Sequence, residues 1–285
     1  MNLKTTIVTL LFLAYTSLAF GQVEYPSLSP KGRIEQVVGN TNVEIEYERP
    51  SVRNRVVFGG IVPWNKVWRT GAGYCTKISF DKPVIIGGQT VNPGKYTIFT
   101  IPNPDRWIVI LNSNTTLYGS FNYNPEKDIT RFIVRPTKSQ RFYETLTFDI
   151  DLIPNNARIF ISWEETQISF DVQTSTDEEI LKFIKEQLLT KKEKNSDKYA
   201  GAAEYLHYQN INSFEAIKLT QIAFELDENN GWARRLNMEL YEKLGMYAKA
   251  LQSANQAIEF STDKESWKSH IERLNYKIEN TPNKQ

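Results

Sequence analysis

The chain has 285 residues, 34 Lys and Arg against 33 Asp and Glu, and a formal net charge of +1. This length predicts two domains of ordinary size, and the near-zero charge predicts no nucleic-acid partner, because such partners need a strongly basic face. A single Cys and two His exclude an intramolecular disulfide and a Cys-x-x-Cys redox or zinc motif. We expect no cofactor and no bound metal, and we expect the lone Cys75 to be buried.

Residues 1–21 have the pattern of a secretory signal peptide. One positive charge precedes an apolar run at residues 7–14, and the small residues Ala19 and Gly21 follow it. The run is too short for a membrane span, which needs about 20 apolar residues. We therefore expect cleavage after Gly21, a mature chain that begins at Gln22 without a stable membrane span, and a periplasmic or extracellular location.

Residues 22–173 have the pattern of short β-strands. Val43, Ile45 and Tyr47 alternate with acidic residues, which is the period of a half-buried strand. Turn signals such as Gly87-Gly88 separate further apolar or β-branched runs, which lie at residues 78–80, 96–101, 107–111, 132–134, 143–150, 158–163 and 168–172. Because no helical pattern intervenes, we predict a mainly β N-terminal domain, built as an antiparallel sandwich or barrel.

The pattern becomes helical at about Asp177. We predict a helix and linker at residues 174–196 and an all-α region at residues 197–285, with a last helix near residues 263–280. Residues of similar type recur 34 positions apart, in the pairs Leu206 and Leu240, Ala216 and Ala250, Ala223 and Ala257, and Leu226 and Phe260. This offset is the period of the tetratricopeptide repeat, a helix–turn–helix unit.

The segment 244–260 resembles the second half of such a repeat, with Gly245 at the turn followed by Tyr247, Ala250 and Ala257. The first unit lacks the small residue at Glu204 and the turn glycine. We predict a tetratricopeptide-like helical region, and the alternative is an ordinary helical bundle.

Several motifs of the β half occur together and in order. They are Ser29-Pro30-Lys31, Tyr47-Glu48-Arg49-Pro50-Ser51-Val52, Phe58-Gly59-Gly60-Ile61-Val62-Pro63, Val67-Trp68-Arg69-Thr70-Gly71-Ala72, Pro93-Gly94-Lys95-Tyr96-Thr97 and Trp107-Ile108-Val109-Ile110-Leu111-Asn112. On these motifs the chain resembles, over about residues 29–171, a family of exported bacterial proteins known as domain of unknown function 2911. The resemblance implies export and a compact β domain, but no reaction. This sequence departs from the family pattern at Asn54, where Gly is usual, and at Gly73-Tyr74, where Asn-Glu is usual.

Residues 49–70 concentrate Arg and Trp in a stretch without strand alternation. Clustered Arg with aromatic rings can bind a carboxylate, a phosphate or a sugar face. We therefore predict a site for a small anionic or sugar ligand here. The alternative is structural: the Trp rings fill the core and the Arg side chains cap carbonyl groups. The candidate residues are Arg49, Arg53, Arg55, Trp64, Trp68 and Arg69.

The β half contains no His, which excludes a Ser–His–Asp triad or a histidine zinc site there. Glu44, Glu46 and Glu48 share one strand face and are either a solvated charged edge or the carboxylates of a glycosidase. We expect no catalytic residue. The predicted function is an exported, non-catalytic binding protein of the bacterial cell envelope, with helical repeats that contact a protein or peptide partner. The alternative is a carboxylate-dependent hydrolase acting on glycans.

Overall fold

The computed structural model describes residues 24–281, so the predicted signal peptide lies outside the described residues. The chain divides into two compact units. The first consists of the chain up to Gln36 together with Asn42–Asp151 and Arg158–Val172. The second consists of Val37–Thr41, Leu152–Ala157 and the chain from Gln173 onward.

The described part of the β half forms two antiparallel sheets, as predicted. The six-stranded sheet has the order β1-β2-β3-β6-β7-β8, and the four-stranded sheet has the order β5-β4-β10-β9. The strands are β1 (Lys31–Val38), β2 (Thr41–Glu48), β3 (Lys77–Phe80), β4 (Val84–Ile86), β5 (Gln89–Val91), β6 (Gly94–Ile101), β7 (Trp107–Asn112), β8 (Asp128–Val134), β9 (Thr137–Ile153) and β10 (Asn156–Thr174).

Strand alternation sets the two faces of the six-stranded sheet. Ile45 of β2 is fully buried and lies opposite Ile78 of β3, which is also fully buried and lies opposite Tyr96 of β6. Glu46 lies on the other face, opposite Lys77. The inner face therefore buries apolar side chains against the second sheet, and the outer face carries charges.

Aromatic rings from both sheets meet between them. The ring centroids of Tyr47 on β2 and Phe148 on β9 lie 4.6 Å apart, and those of Phe132 on β8 and Phe170 on β10 lie 5.6 Å apart. These pairs join the two sheets face to face. The β domain is therefore a sandwich, one of the two architectures that the strand pattern predicts.

The helical half is also as predicted. Helix α1 (Thr176–Phe183) has three acidic residues in its first turn, where the helix dipole favours them, and continues as a π-helical segment, Ile184–Thr190. The remaining helices of the described residues are α2 (Ser196–Tyr208), α3 (Ser213–Leu226), α4 (Gly231–Lys243), α5 (Tyr247–Phe260) and α6 (Lys264–Asn280). None of the described helices is both long and apolar enough to cross a membrane.

The four residue pairs 34 positions apart also match in burial. Ala216 and Ala250 are both fully buried, as are Leu206 and Leu240. The turns after α2 and α4 form the same kind of hydrogen bond at an offset of 35 positions, because Ile211 N–H donates to Leu206 O and Met246 N–H donates to Tyr241 O, each at 2.9 Å. The helices are thus confirmed, while the tetratricopeptide-like repeat stays a prediction.

The missing turn glycine of the first unit has a local explanation. Gly245 follows α4 with φ = +71°, and Asn210 follows α2 with φ = +56°. Both residues end their helices in the left-handed conformation, which Gly adopts most easily and Asn adopts next most easily. Asn210 therefore takes the role of glycine at the end of α2, although the connection to α3 is one residue longer than the connection from α4 to α5.

Candidate functional site

Three of the predicted arginines donate hydrogen bonds to backbone carbonyls. Arg49 Nε donates to Leu146 O at 3.1 Å. Arg55 Nη2 donates to Ser51 O at 2.6 Å, and Arg53 Nη2 donates to Leu28 O at 2.8 Å. Each guanidinium thus donates to a backbone carbonyl, as the structural alternative for these residues predicts.

The two predicted tryptophans belong to an aromatic cluster of the β domain. Trp68 is 9% exposed, stacks on Trp163 with 5.9 Å between ring centroids, and donates from its indole nitrogen to Gly71 O at 3.2 Å. Trp64 is half-buried and stacks on Phe58 at 5.8 Å. These contacts account for Trp68 as a core residue, and a ligand role for the predicted set stays a prediction.

Arg69 differs from the other predicted arginines. It is half-buried, and its Nε is buried without a hydrogen-bond partner among the described residues. Its positive charge opposes the effect of burial on the nearby Cys75 thiol, whose pKa burial raises to about 11. Cys75 is 3% exposed, as expected, and its thiol donates to Gly119 O at 3.0 Å. Arg69 therefore lies near Cys75, and Arg49 lies against Gly32, two residues that also line a pocket of the β domain.

A pocket of about 360 Å³ opens on the outer face of the six-stranded sheet. Its lining comes from the edge strand β1, the end of β2 and the segment that leads into β3. The lining residues are Lys31, Gly32, Arg33, Glu46, Tyr47, Glu48, Tyr74, Cys75 and Lys77. We call this the β-domain pocket. Its volume lies within the range of about 300–1,000 Å³ that is typical of small-molecule sites.

Two of the three acids considered as catalytic residues are ion-paired. Glu44 lies 3.1 Å from Arg33, and Glu46 lies 2.7 Å from Lys95. The hydrogen bond from Lys95 lowers the pKa of Glu46 below its ordinary value. Glu48 accepts a long hydrogen bond, 3.4 Å, from the backbone N–H of Tyr74. Among the described residues, the Glu48 carboxylate in the pocket therefore forms no ion pair.

Exposed aromatic side chains form a rim beside the β-domain pocket. Tyr74 is 53% exposed and Tyr118 is 65% exposed, and their rings meet at nearly a right angle with centroids 5.2 Å apart. The backbone fixes this pair, because Gly119 N–H donates to Gly73 O at 3.0 Å and Tyr74 bridges to Tyr118. The sequence marks Tyr74 only as a departure from the family pattern and does not mark Tyr118, because pairing between two distant loops brings them together.

Both departures from the family pattern occur at residues with positive φ. Asn54 has φ = +55° and Gly73 has φ = +52°, so Gly and Asn exchange at positions where either residue adopts the left-handed conformation. A Cβ atom at Gly73 would collide with the Glu48 carboxylate. Gly73 therefore gives the Glu48 side chain its room in the pocket.

The helical unit contains a second pocket, of about 610 Å³, and its charged groups contact one another. Glu242 on α4 accepts from Arg273 at 2.7 Å and from Lys277 at 2.9 Å, both on α6. Lys243 Nζ donates to His207 O at 3.0 Å. These contacts join α2, α4 and α6, so the charged side chains of this pocket stabilise the packing of the helices.

Both histidines lie in the helical unit, and burial lowers the pKa of each below its ordinary value. A half-buried His with a lowered pKa binds fewer protons in the folded chain than in the unfolded chain. The stability that the two histidines contribute is therefore fully present above about pH 6.5 and is lost as the pH falls below it. We predict that the helical unit melts at a lower temperature at pH 5.5 than at pH 7.5. The double variant His207→Gln with His270→Gln should show a smaller difference, measured by circular dichroism at 222 nm. Equal pH dependence in the parent and the variant would contradict this prediction.

Among the described residues, no group of three or more His, Cys, Asp and Glu side chains could hold a metal ion. A family profile described as "Protein of unknown function (DUF2911)" matches residues 29–172 of the chain. This range covers the β sandwich and the β-domain pocket. No curated protein matches the chain.

Proposed function

Because the chain belongs to the DUF2911 family, whose function is unknown, we propose a function from the site: the protein binds a small polar ligand in its β-domain pocket, without catalysis, in the bacterial cell envelope. The observation that carries the proposal is the combination of charged groups and an aromatic rim in one pocket. Lys31 and Lys77 line this pocket and form no ion pair within the described part of the chain, and neither does Glu48. Unpaired polar groups that converge on one concave site are a common feature of ligand pockets.

The ion pairs of the outer sheet face argue against glycan hydrolysis in this pocket. Glycosidases use two carboxyl groups, of which one has a raised pKa and donates a proton to the leaving group. The pKa of Glu46 is lowered instead, and Glu44 is bound to Arg33. A binding function requires no such proton donor, so these pairings favour it over the hydrolase alternative.

Ligand binding is expected to raise the melting temperature of the full chain. A ligand at 100 times its Kd stabilises the folded state by about 2.7 kcal/mol, which corresponds to about 5 °C or more for a domain of this size. The probe is the low-molecular-mass fraction of a bacterial cell-envelope extract, and the readout is scanning fluorimetry.

A matched pair of variants locates the effect. Tyr74→Ala together with Glu48→Gln should remove most of the shift, and Tyr276→Ala, which replaces a 67% exposed tyrosine of the helical unit, should retain it. No shift in the parent protein, or the same shift in all three proteins, would contradict the proposed pocket.

The proposal includes export through residues 1–21 and a partner-binding role for the helical region. Export predicts that the protein recovered from the periplasm or the medium begins at Gln22, which N-terminal sequencing measures directly. A recovered chain that begins at Met1 would contradict it. For the helical region, the support is the predicted repeat, because stacked helix pairs offer an extended surface to a protein or peptide.

A further inference from the structure

We infer that the ligand of the β-domain pocket is a neutral saccharide, in units of one or two sugar rings. This inference rests on the proposed function and names the chemical class that the pocket recognises. Three observations carry it: the rim of exposed aromatic rings, the mixture of donors and acceptors in the lining, and the size of the pocket.

The aromatic side chains of the rim are largely exposed to solvent instead of packed in the core. Phe121 is 89% exposed, and its ring lies close to Gly119 on the same loop as Tyr118. Tyr74 lines the pocket, Tyr118 contacts Tyr74, and Phe121 is exposed on the same loop as Tyr118. Contiguous exposed apolar surface on a soluble protein marks an interaction site. The C–H faces of a sugar ring are the apolar surface that stacks on such rings.

The lining of the pocket offers both donors and acceptors. The Glu48 carboxylate accepts hydrogen bonds only, and the ammonium groups of Lys31 and Lys77 donate only. A ligand that forms hydrogen bonds with all three side chains must donate one to Glu48 and accept one from each lysine. The neighbouring hydroxyl groups of a sugar can do both. An anionic ligand would lie beside Glu48, and a cationic ligand would lie beside the two lysines, so each would be repelled by part of the lining.

The volume of the pocket, about 360 Å³, limits the length of the saccharide. It lies at the lower end of the range for small-molecule sites, which suits one or two sugar rings. The exposed tyrosines at the rim then provide stacking for a ring outside the pocket. The pocket therefore fits the end of a glycan chain.

The experiment is binding of the fluorescently labelled full chain to a microarray of neutral and acidic glycans. We expect retention on neutral glycans, with little change when the salt concentration is raised to 0.5 M, because an uncharged ligand forms no salt-screened ion pair. Tyr118→Ala should weaken this binding about tenfold, the effect of removing one stacking contact of about 1.4 kcal/mol. The control Phe142→Ala, which replaces an aromatic residue 56% exposed on β9, should bind like the parent.

Retention on no glycan, or retention on acidic glycans alone with loss at 0.5 M salt, would overturn the saccharide inference. Equal binding by the parent and Tyr118→Ala would overturn it as well. A blank array together with a melting-temperature shift from the envelope fraction would overturn the saccharide and leave the proposed binding function in place. A blank array without any shift would overturn both.

Discussion

Replacing Trp68 with alanine is expected to lower the free energy of unfolding of the β domain by about 3–5 kcal/mol. Trp68 is 9% exposed, and its ring contacts Phe58, Trp107 and Trp163 with centroids 6.1, 6.3 and 5.9 Å away. The substitution leaves a large cavity among these rings. It also leaves the buried Gly71 carbonyl without the hydrogen bond that the indole donates. Both effects act on the same part of the core. The expected loss of stability is therefore large compared with that of most single substitutions.

Trp64→Ala is the matched control, because Trp64 lies in the same segment but is half-buried. We expect it to cost less than half as much as Trp68→Ala. Hydrogen exchange of peptides from β6 and β7 during urea unfolding measures the β domain separately from the helical unit. A cost below about 1 kcal/mol for Trp68→Ala would contradict its place in the core and would reopen its predicted role in ligand binding.

Replacing Ala250 with leucine is expected to destabilise the helical unit by about 1–3 kcal/mol. Ala250 on α5 is fully buried in a cluster with Met238 of α4 and with Trp267 and Leu274 of α6. A larger side chain at this position must move helices that now approach closely, because buried side chains leave few voids to fill. Ala216→Leu should produce a similar loss, since Ala216 is buried at the matching position of α3.

Ala248→Leu is the control for helix propensity. Ala248 is exposed on the same helix, and leucine is nearly as good a helix former as alanine, so the change should stay within about 0.5 kcal/mol. The measurement is hydrogen exchange of peptides from α5 and α6. A loss at Ala250 without a comparable loss at Ala216 would contradict the equivalence of the two helix pairs, and with it the predicted repeat.

The sequence predicted the fold well wherever local patterns agree with burial. The alternation of Val43, Ile45 and Tyr47 corresponds to the inner face of β2, and the acids after Thr176 correspond to the first turn of α1. It predicted two separate runs at residues 158–163 and 168–172, whereas the structure has one strand, β10. The polar interruption there contains Glu164 at φ = +52°, a local irregularity that the strand passes through.

The residues that line the β-domain pocket come from outside the set predicted to bind a ligand. The sequence draws attention to residues 49–70 because Arg and Trp are concentrated there, and the structure places Trp68 in a core cluster and bonds Arg49 and Arg55 to backbone carbonyls. Tyr74 and Tyr118 are 44 positions apart, and only the pairing of their loops shows that their rings meet. When pairing of distant segments brings residues together, no local pattern in a single sequence shows that they are neighbours.

The location of ligand binding is tested most directly by nuclear magnetic resonance. Backbone amide signals of the labelled full chain are recorded before and after addition of the low-molecular-mass envelope fraction. We predict shifts at Tyr74, Lys77 and Tyr118, which surround the β-domain pocket, and none at His207 or Lys243 in the pocket of the helical unit. An unchanged spectrum, or shifts confined to the helical unit, would contradict ligand binding by the β domain.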